Sequence, residues 1–83
     1  MKVLYFAWLR TKVGRGEEDL VPPAGVGDVA ALVTWLKGRS AGHAEAFADL
    51  RGVRAAVNQD YAGWDHAVAA DDEVAFFPPV TGG

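Results

Sequence analysis

Few residues of this sequence can carry out chemistry themselves, and their types and spacing exclude several classes of site. The chain has no cysteine, which excludes disulfides, thiolate metal sites and cysteine nucleophiles. The two histidines, His43 and His66, lack the paired spacing of zinc ligands. Gly14-Arg15-Gly16 is too short for a phosphate-binding loop and predicts a hairpin turn. We therefore expect no metal site and no nucleophile–base pair in this chain.

The end of the chain is the one segment with a candidate reactive group. It consists of the segment EVAFFPPVTGG, residues 73–83. Pro78 and Pro79 hold this segment extended, because proline fixes its own φ and restricts the residue before it. The residues from Val80 to Gly83 would then reach roughly 13–14 Å beyond Pro79, at ~3.3–3.6 Å per residue. The alternative is a frayed tail, since terminal residues are commonly disordered.

A thin arm with a glycine tip has one reactive group, the terminal carboxylate of Gly83. Because glycine has no Cβ, Gly82 and Gly83 fit a narrow tunnel and approach a phosphate closely. A free carboxylate is a poor electrophile, but joining it to AMP creates a good leaving group. A sulfur nucleophile that displaces the AMP leaves a thiocarboxylate. Without a cysteine thiol, the C-terminus is the only plausible place at which this chain would carry sulfur.

Composition indicates one small globular domain. A length of 83 residues is typical of a single domain, and 51% hydrophobic residues exclude a disordered linker. The longest apolar run, Val3–Leu9, is far shorter than the ~18–20 residues that cross a bilayer, and the N-terminus lacks a signal-peptide pattern. The formal net charge of −3 and the scattered lysines and arginines give no basic stripe for nucleic acid. We expect a cytoplasmic protein with no membrane or nucleic-acid partner.

The apolar pattern predicts one main helix among several short strands. Within GVGDVAALVTWLKGRS, apolar residues recur at the spacing of one helical face, and either Gly25 or Asp28 can cap its start. Lys2–Leu9 is apolar on both alternating faces, which is typical of a central strand. The other predicted elements are a short strand in EEDLVPP, a helical segment at Ala41–Leu50, and strands at Val53–Val57 and Val74–Phe77, with turn formers at Asn58, Gln59 and Asp60.

This order of elements favours an α+β roll of the β-grasp type. It predicts a mixed sheet of four to five strands with one main helix across one face and a short second helical segment. If the first and last strands lie side by side in the middle of the sheet, the helix makes the crossover between them. We expect residues 1–79 to form this single domain and residues 80–83 to form an extended, flexible Gly-Gly tail.

The aromatic residues are more numerous than one helix face and one sheet face can bury. If Phe6 and Phe76 point toward the helix, strand alternation sends Tyr5 and Phe77 to the other sheet face. That face is either covered in part by its neighbours or docks a partner, since aromatic residues dominate interface energies. Because Phe77 adjoins the arm, we interpret it as a partner contact, together with the two prolines that follow it.

The segment EVAFFPPVTGG also resembles a known ending, that of the small, sulfur-carrying subunits of molybdopterin synthase. In addition, VLYFAWLR resembles that family's first strand, GVGDVAALVTWL its helix, and AVNQDYAGWDHAVAADDEVAFFPPVTGG its C-terminal third. Other ubiquitin-like sulfur carriers share the final Gly-Gly, but residues 76–80 point to the molybdopterin branch. The sequence departs from the family pattern at Thr11, Asp71 and Thr81, and none of these departures alters the chemistry of the tail.

The resemblance implies a sulfur carrier that is not itself an enzyme and binds no cofactor stably. A separate activating enzyme would use ATP to adenylate Gly83, and a sulfurtransferase system would convert it to the thiocarboxylate. The arm, with Val80, Thr81 and Gly82 threading behind Gly83, would enter the large subunit of a heterotetrameric synthase. There its sulfur would pass to cyclic pyranopterin monophosphate, and the catalytic residues would belong to the large subunit.

Three other functions are open. Two of them use the same tail, and in the third the tail has no role. The chain could be a ubiquitin-like sulfur carrier of another pathway, such as thiamine or cysteine synthesis. It could be a protein modifier that is joined through Gly83 to lysine side chains. It could also be a small interaction module whose tail has no role. The first two differ from the leading hypothesis only in the acceptor of the Gly83 acyl group or its sulfur.

Overall fold

The computed structural model describes residues 1–79, so the predicted reactive tail, Val80–Gly83, lies outside the described residues. The division into a domain of residues 1–79 and a flexible tail therefore stays a prediction. No helix within residues 1–79 has the length and apolar character needed to span a bilayer. In chain order the elements are β1 (Lys2–Tyr5), α1 (Trp8–Val13), β2 (Glu17–Asp19), α2 (Val29–Lys37), α3 (Ala41–Ala46), a 3-10 turn (Leu50–Gly52), β3 (Arg54–Val57), β4 (Asp60–Ala62) and β5 (Glu73–Phe77).

The strands form one mixed sheet in the order β2-β1-β5-β3-β4. β1 and β5 pair in parallel, whereas the other neighbouring strands are antiparallel. The first and last strands thus lie side by side, as the sequence predicts. A parallel pair requires a long crossover connection, and the helices between β2 and β3 form part of it. This arrangement confirms the predicted α+β class and the β-grasp architecture.

The core lies between one face of the sheet and the helices. It is built from strand residues that alternate inward and from the apolar stripe of α2, which together remove a large apolar area from water. The fully buried members are Val3, Tyr5, Leu9, Val29, Leu32, Leu36, Phe47, Val53, Val74 and Phe76. Of the two caps considered for α2, the structure selects Asp28, whose Oδ1 accepts a hydrogen bond of 2.8 Å from the Ala31 N–H.

The predicted first strand, Lys2–Leu9, is wrong beyond Tyr5, because the apolar run Val3–Leu9 covers most of a strand and the start of a helix. Ala7 reverses the chain with a φ of 55°, and α1 begins at the next residue. Leu9 is fully buried from this helix rather than from the sheet. Continuous apolar character does not distinguish a buried strand from a short buried helix, so α1 is an additional helix that the pattern did not predict.

The later predicted elements are also shorter or more regular than expected. The helical segment predicted at Ala41–Leu50 is a helix only to Ala46, and a 3-10 turn follows at Leu50–Gly52. Of the turn formers predicted at Asn58, Gln59 and Asp60, only Asn58 and Gln59 form the turn, with positive φ values of 51° and 72°, and Asp60 begins the strand β4, which the pattern did not predict. Such a two-residue turn suits the twist of a hairpin, and it folds β4 back onto β3.

Gly42 allows α1 and α3 to pack against each other closely. A Cβ built at Gly42 would clash with the backbone carbonyl oxygen of Lys12, at a separation that real Cβ atoms do not adopt. The obstacle is backbone and not the end of a flexible side chain, so it cannot simply rotate away. The two short helices therefore depend on the missing side chain at this position.

We expect the substitution Gly42→Ala to destabilise the protein by about 1–3 kcal/mol, because the added methyl forces the helices apart. The thermal midpoint should fall by roughly 4–8 °C per kcal/mol in a domain of this size, which a melting curve measures. Gly25→Ala is the matched control, because nothing lies within 4 Å of a Cβ built there. Equal midpoints for the two variants would contradict the close approach.

Candidate functional site

The described chain ends at the middle of the sheet and not at its edge. β5 lies between β1 and β3, and its last residue, Phe77, is followed by the half-buried Pro78 and Pro79. Because β1 runs parallel to β5, its C-terminal end lies at the same end of the sheet. The Phe6 N–H donates a hydrogen bond of 3.1 Å to the Phe76 carbonyl oxygen there. The segment leading into the tail is thus held by both neighbouring strands.

A row of apolar side chains crosses the sheet face that is turned away from the helices. Strand register places Leu4 opposite Ala75, Ala75 opposite Ala56, and Ala56 opposite Tyr61, so the row spans four strands. Residues paired in register point to the same face. We call this the outer face and define it by Leu4, Phe6, Ala56, Tyr61, Ala75 and Phe77.

Three aromatic side chains dominate the outer face. The rings of Tyr61 and Phe77 lie 5.8 Å apart in a tilted arrangement. Tyr61 is 79% exposed and Phe6 is 49% exposed, whereas Phe77 is partly covered. Exposed aromatic side chains grouped on one sheet face are typical of interaction sites on soluble domains. Because Phe77 is the last residue of β5, the outer face continues directly into the segment that precedes the tail.

The predicted facing of Tyr5 and Phe6 is wrong, whereas that of Phe76 and Phe77 is confirmed. Tyr5 pairs in register with Phe76, and both are fully buried among the helices. Burial of the Tyr5 hydroxyl is possible because it donates a hydrogen bond of 2.7 Å to Glu18 Oε2. Phe6 therefore alternates outward and joins the outer face.

Sequence reasoning did not single out Phe6 or Tyr61 as site residues. Tyr61 lies in β4, a strand that was not predicted because the residues before it were interpreted only as turn formers. The signal was available, because two turn residues between the runs RAAV and DYA are a hairpin pattern. For Phe6, the sequence does not show which residues of the first strand face the helices, since both alternating faces of that strand are apolar.

The charges near the end of β5 come from the first residue of β3 and from the segment before it. Arg54 lies opposite Phe77 in register, and its guanidinium donates hydrogen bonds to the Val53 and Arg51 carbonyl oxygens. Arg51 in turn donates to Asp49 at 2.9 and 3.0 Å, and these hydrogen bonds lower the pKa of Asp49 to about 2. The exposed pair of Arg51 with Asp49 contributes little stability, whereas Arg54, in register with Phe77, places a positive charge on the outer face.

The apolar outer face is suited to recognition. Among residues 1–79, no group of three potential metal ligands comes together. The predicted partner contacts Phe77, Pro78 and Pro79 lie together at one end of the sheet, whereas the predicted reactive residues Val80, Thr81, Gly82 and Gly83 lie outside the described range. An apolar face that continues into the chain end can orient that end relative to whatever binds the face.

Comparison with known proteins agrees with this fold. The chain is 42% identical over all 83 residues to the molybdopterin synthase sulfur carrier subunit of Escherichia coli, and the alignment covers 99% of that protein. A solved structure of a putative molybdopterin converting factor, subunit 1, from Pyrococcus furiosus is 33% identical, with a TM-score of 0.78 and 95% of each chain covered. SAMP1 from Haloferax volcanii is 27% identical, with a TM-score of 0.75, 100% of this chain and 98% of that chain covered.

The fold and these neighbours define a β-grasp domain of the ubiquitin-like class. The model of the ThiS family matches residues 3–83, almost the whole sequence. The chain therefore belongs to the ThiS family, and its resemblance to the sulfur-carrying subunit of molybdopterin synthase is confirmed.

Phe76 and Phe77 provide a matched pair for testing the two faces of β5, because they are adjacent and chemically identical. Phe76→Ala should cost about 3–5 kcal/mol of unfolding free energy, since it empties a fully buried site. Phe77→Ala should cost less than half as much, because its ring is partly exposed and packs mainly on Tyr61. Denaturant unfolding measures both, and equal losses would contradict the assigned faces.

Proposed function

We propose that this chain is the sulfur-carrier subunit of a molybdopterin synthase, acts in the cytoplasm, and is not itself an enzyme. The observation that carries the proposal is the 42% identity, over the full length of the chain, to the Escherichia coli subunit of that description. The match to the ThiS family and the likeness to the Pyrococcus furiosus protein support it. The outer face supports it as well, because a carrier must present its end to other proteins.

The reacting group in this proposal is the carboxylate of Gly83. A separate activating enzyme transfers AMP from ATP to that carboxylate and releases pyrophosphate. A sulfur nucleophile supplied by a sulfurtransferase attacks the acyl carbon, AMP leaves, and Gly83 ends as a thiocarboxylate. ATP is thus used by the activating enzyme, and this chain holds no cofactor of its own.

The sulfur is then delivered in the active site of the large subunit. Val80, Thr81 and Gly82 thread into that site, and the thiocarboxylate sulfur passes to cyclic pyranopterin monophosphate. Two such deliveries build the dithiolene of molybdopterin within a heterotetramer. The catalytic acid, base and phosphate-binding groups belong to the large subunit, because this chain needs only to place one carboxyl group correctly.

The outer face is the docking surface for the large subunit and the activating enzyme in this proposal. Phe6, Tyr61 and Phe77 supply the aromatic anchors that dominate interface energies, while Pro78 and Pro79 extend the contact toward the tail. The exit of the chain beside this face supports the assignment, since docking then aims the tail without a long linker.

Incubation of the chain with ATP, sulfide and its activating enzyme should replace one oxygen of the Gly83 carboxylate by sulfur. Intact mass spectrometry measures the change, and fragmentation locates it, because oxidation has nearly the same nominal mass. Deletion of Gly82 and Gly83 should abolish the change and leave the thermal midpoint nearly unaltered. An alanine added after Gly83 should also abolish it.

Each other outcome of this experiment has a defined meaning. Failure to find sulfur or AMP at Gly83 would reject the sulfur-carrier role. Adducts that join Gly83 to lysine side chains would favour a protein modifier. Sulfur at Gly83 without transfer to cyclic pyranopterin monophosphate, in the presence of the large subunit, would favour a carrier for thiamine or cysteine synthesis. A large loss of stability on deletion would show that the tail packs into the domain.

Phe77→Ala should weaken binding of the large subunit by about 2 kcal/mol or more, roughly 30-fold in the dissociation constant. The reason is the loss of a central aromatic anchor beside the tail. Titration calorimetry with the purified large subunit measures the effect. Val21→Ala is the control, because Val21 is 90% exposed and lies beyond β2 and away from the outer face. If both variants bind alike, the outer face is not the docking surface.

A further inference from the structure

A buried polar network joins β2 to α3, and the proposed sulfur chemistry makes no use of it. Glu18 of β2 is 8% exposed and His43 of α3 is 5% exposed, which is unusual for two titratable residues. Glu18 Oε2 lies 2.9 Å from His43 Nε2 and accepts a hydrogen bond of 2.7 Å from the Tyr5 hydroxyl. Its other oxygen, Oε1, faces the guanidinium groups of Arg15 and Arg39 at 3.6 and 4.0 Å.

These contacts keep Glu18 ionised. Burial alone raises the pKa of the Glu18 carboxyl, but the hydrogen bonds from His43 and Tyr5 and the positive charges around it outweigh this effect. The pKa of Glu18 therefore lies below its usual value. An ionised carboxylate only accepts hydrogen bonds, so His43 Nε2 carries the hydrogen that points at it. In the neutral imidazole, Nδ1 is then the nitrogen with a free lone pair.

Ser40 lies on the other side of this imidazole. Its Oγ is 2.7 Å from His43 Nδ1 and also accepts a hydrogen bond of 3.1 Å from the His43 backbone N–H. Because the Oγ lone pairs serve that N–H, the Ser40 hydroxyl hydrogen is available to Nδ1. Ser40 is exposed, unlike the two residues behind it.

The three side chains are therefore linked in series, with an exposed hydroxyl, an imidazole base and a buried carboxylate. Such a chain of hydrogen bonds is recognised by geometry and by the role of each member, whatever the order of residues in sequence. The sequence analysis expected no nucleophile–base pair, whereas the structure brings the Ser40 hydroxyl and the His43 ring within hydrogen-bond distance. Glu18 comes from a different element, and the folded chain alone brings it to His43.

We propose that Ser40 is a nucleophilic modification site that accepts acyl groups from activated esters. Ser40 Oγ bonds to the acyl carbon, and the bond between that carbon and the leaving oxygen breaks. The Ser40 proton passes to His43 Nδ1 and then to the leaving group, so no oxidant or reductant takes part. Glu18, 2.9 Å from Nε2, is the positioning residue that holds the imidazole and stabilises its positive charge.

The site reacts with groups that come from solvent, because Ser40 is exposed. A pocket of about 300 Å³ among the described residues lies elsewhere and is lined by residues such as Leu20, Pro23 and Ala70. This favours small acyl donors that need no binding pocket. The product is a stable serine ester, and the site does not release the acyl group in rapid turnover. The inference is independent of the sulfur-carrier proposal, since it concerns α3 and not Gly83.

The chain offers a clean test, because Ser40 is its only serine and it has no cysteine. The probe is p-nitrophenyl acetate added to the full chain. We expect one acetyl group on Ser40, located by fragmentation and removed by hydroxylamine, which distinguishes the ester from acetylated lysines. His43→Gln retains Ser40 and the backbone N–H that caps α3 but removes the base. It should slow formation of the Ser40 ester at least ~100-fold, and Ser40→Ala should give no such ester.

Two further measurements separate positioning from mere stability. Glu18→Gln should slow the Ser40 reaction at least ~10-fold by general-base arguments, and the ¹⁵N resonances of the His43 ring should show a hydrogen on Nε2, the nitrogen that faces Glu18, in the parent chain. The parent chain unfolded in urea gives the intrinsic rate of Ser40 without any variant. An unmodified Ser40, an equal rate in the unfolded chain, or an equal rate in a folded His43→Gln variant would each overturn the proposal.

Discussion

The parallel pairing of β1 with β5 is the constraint on which the rest of the structure depends. Lys2–Tyr5 and Glu73–Phe76 pair over four registered positions although they come from opposite ends of the described chain. Two parallel strands cannot be joined by a hairpin and need a long crossover connection. Here all the other elements lie between β1 and β5 in sequence and belong to that connection. The pairing also places the end of β5 in the middle of the sheet, where strands on both sides hold it.

The close packing of the short helices follows from the same constraint. With the sheet face fixed, α1 and α3 share the space beside α2, and they fit only because Gly42 lets one backbone approach the other. That approach carries His43 into the core, where Glu18 and Tyr5 satisfy its polar ring. A buried polar ring without such partners would cost several kcal/mol of folding free energy. The position of α3 therefore depends both on Gly42, which allows its close packing, and on Glu18, which satisfies the His43 ring.

The sequence predicts the elements whose signals are local. α2 shows a helical period and an N-cap at Asp28, and its place is as predicted. The prediction failed where a strand and a helix have the same apolar pattern, as in the run Val3–Leu9, which contains both the end of β1 and the start of α1. It also failed for the contact between Glu18 and His43, because no local period relates residues of different elements. The tail segment was conspicuous for its composition alone, before any fold was known.

Phe76 and Phe77 show how one short strand contributes adjacent residues to the buried core and to a partly exposed face. Alternation along β5 gives Phe76 to the core and Phe77 to the outer face, so adjacent identical residues serve different ends. In the proposed function, the chain binds its partners through the outer face and must remain folded while it does so. Because the ring of Phe76 stabilises the fold from the buried face, residues on the outer face can be suited to partner contacts in that function. The central position of β5 makes both demands compatible, since the strand that anchors the sheet is also the one that leads to the chain end.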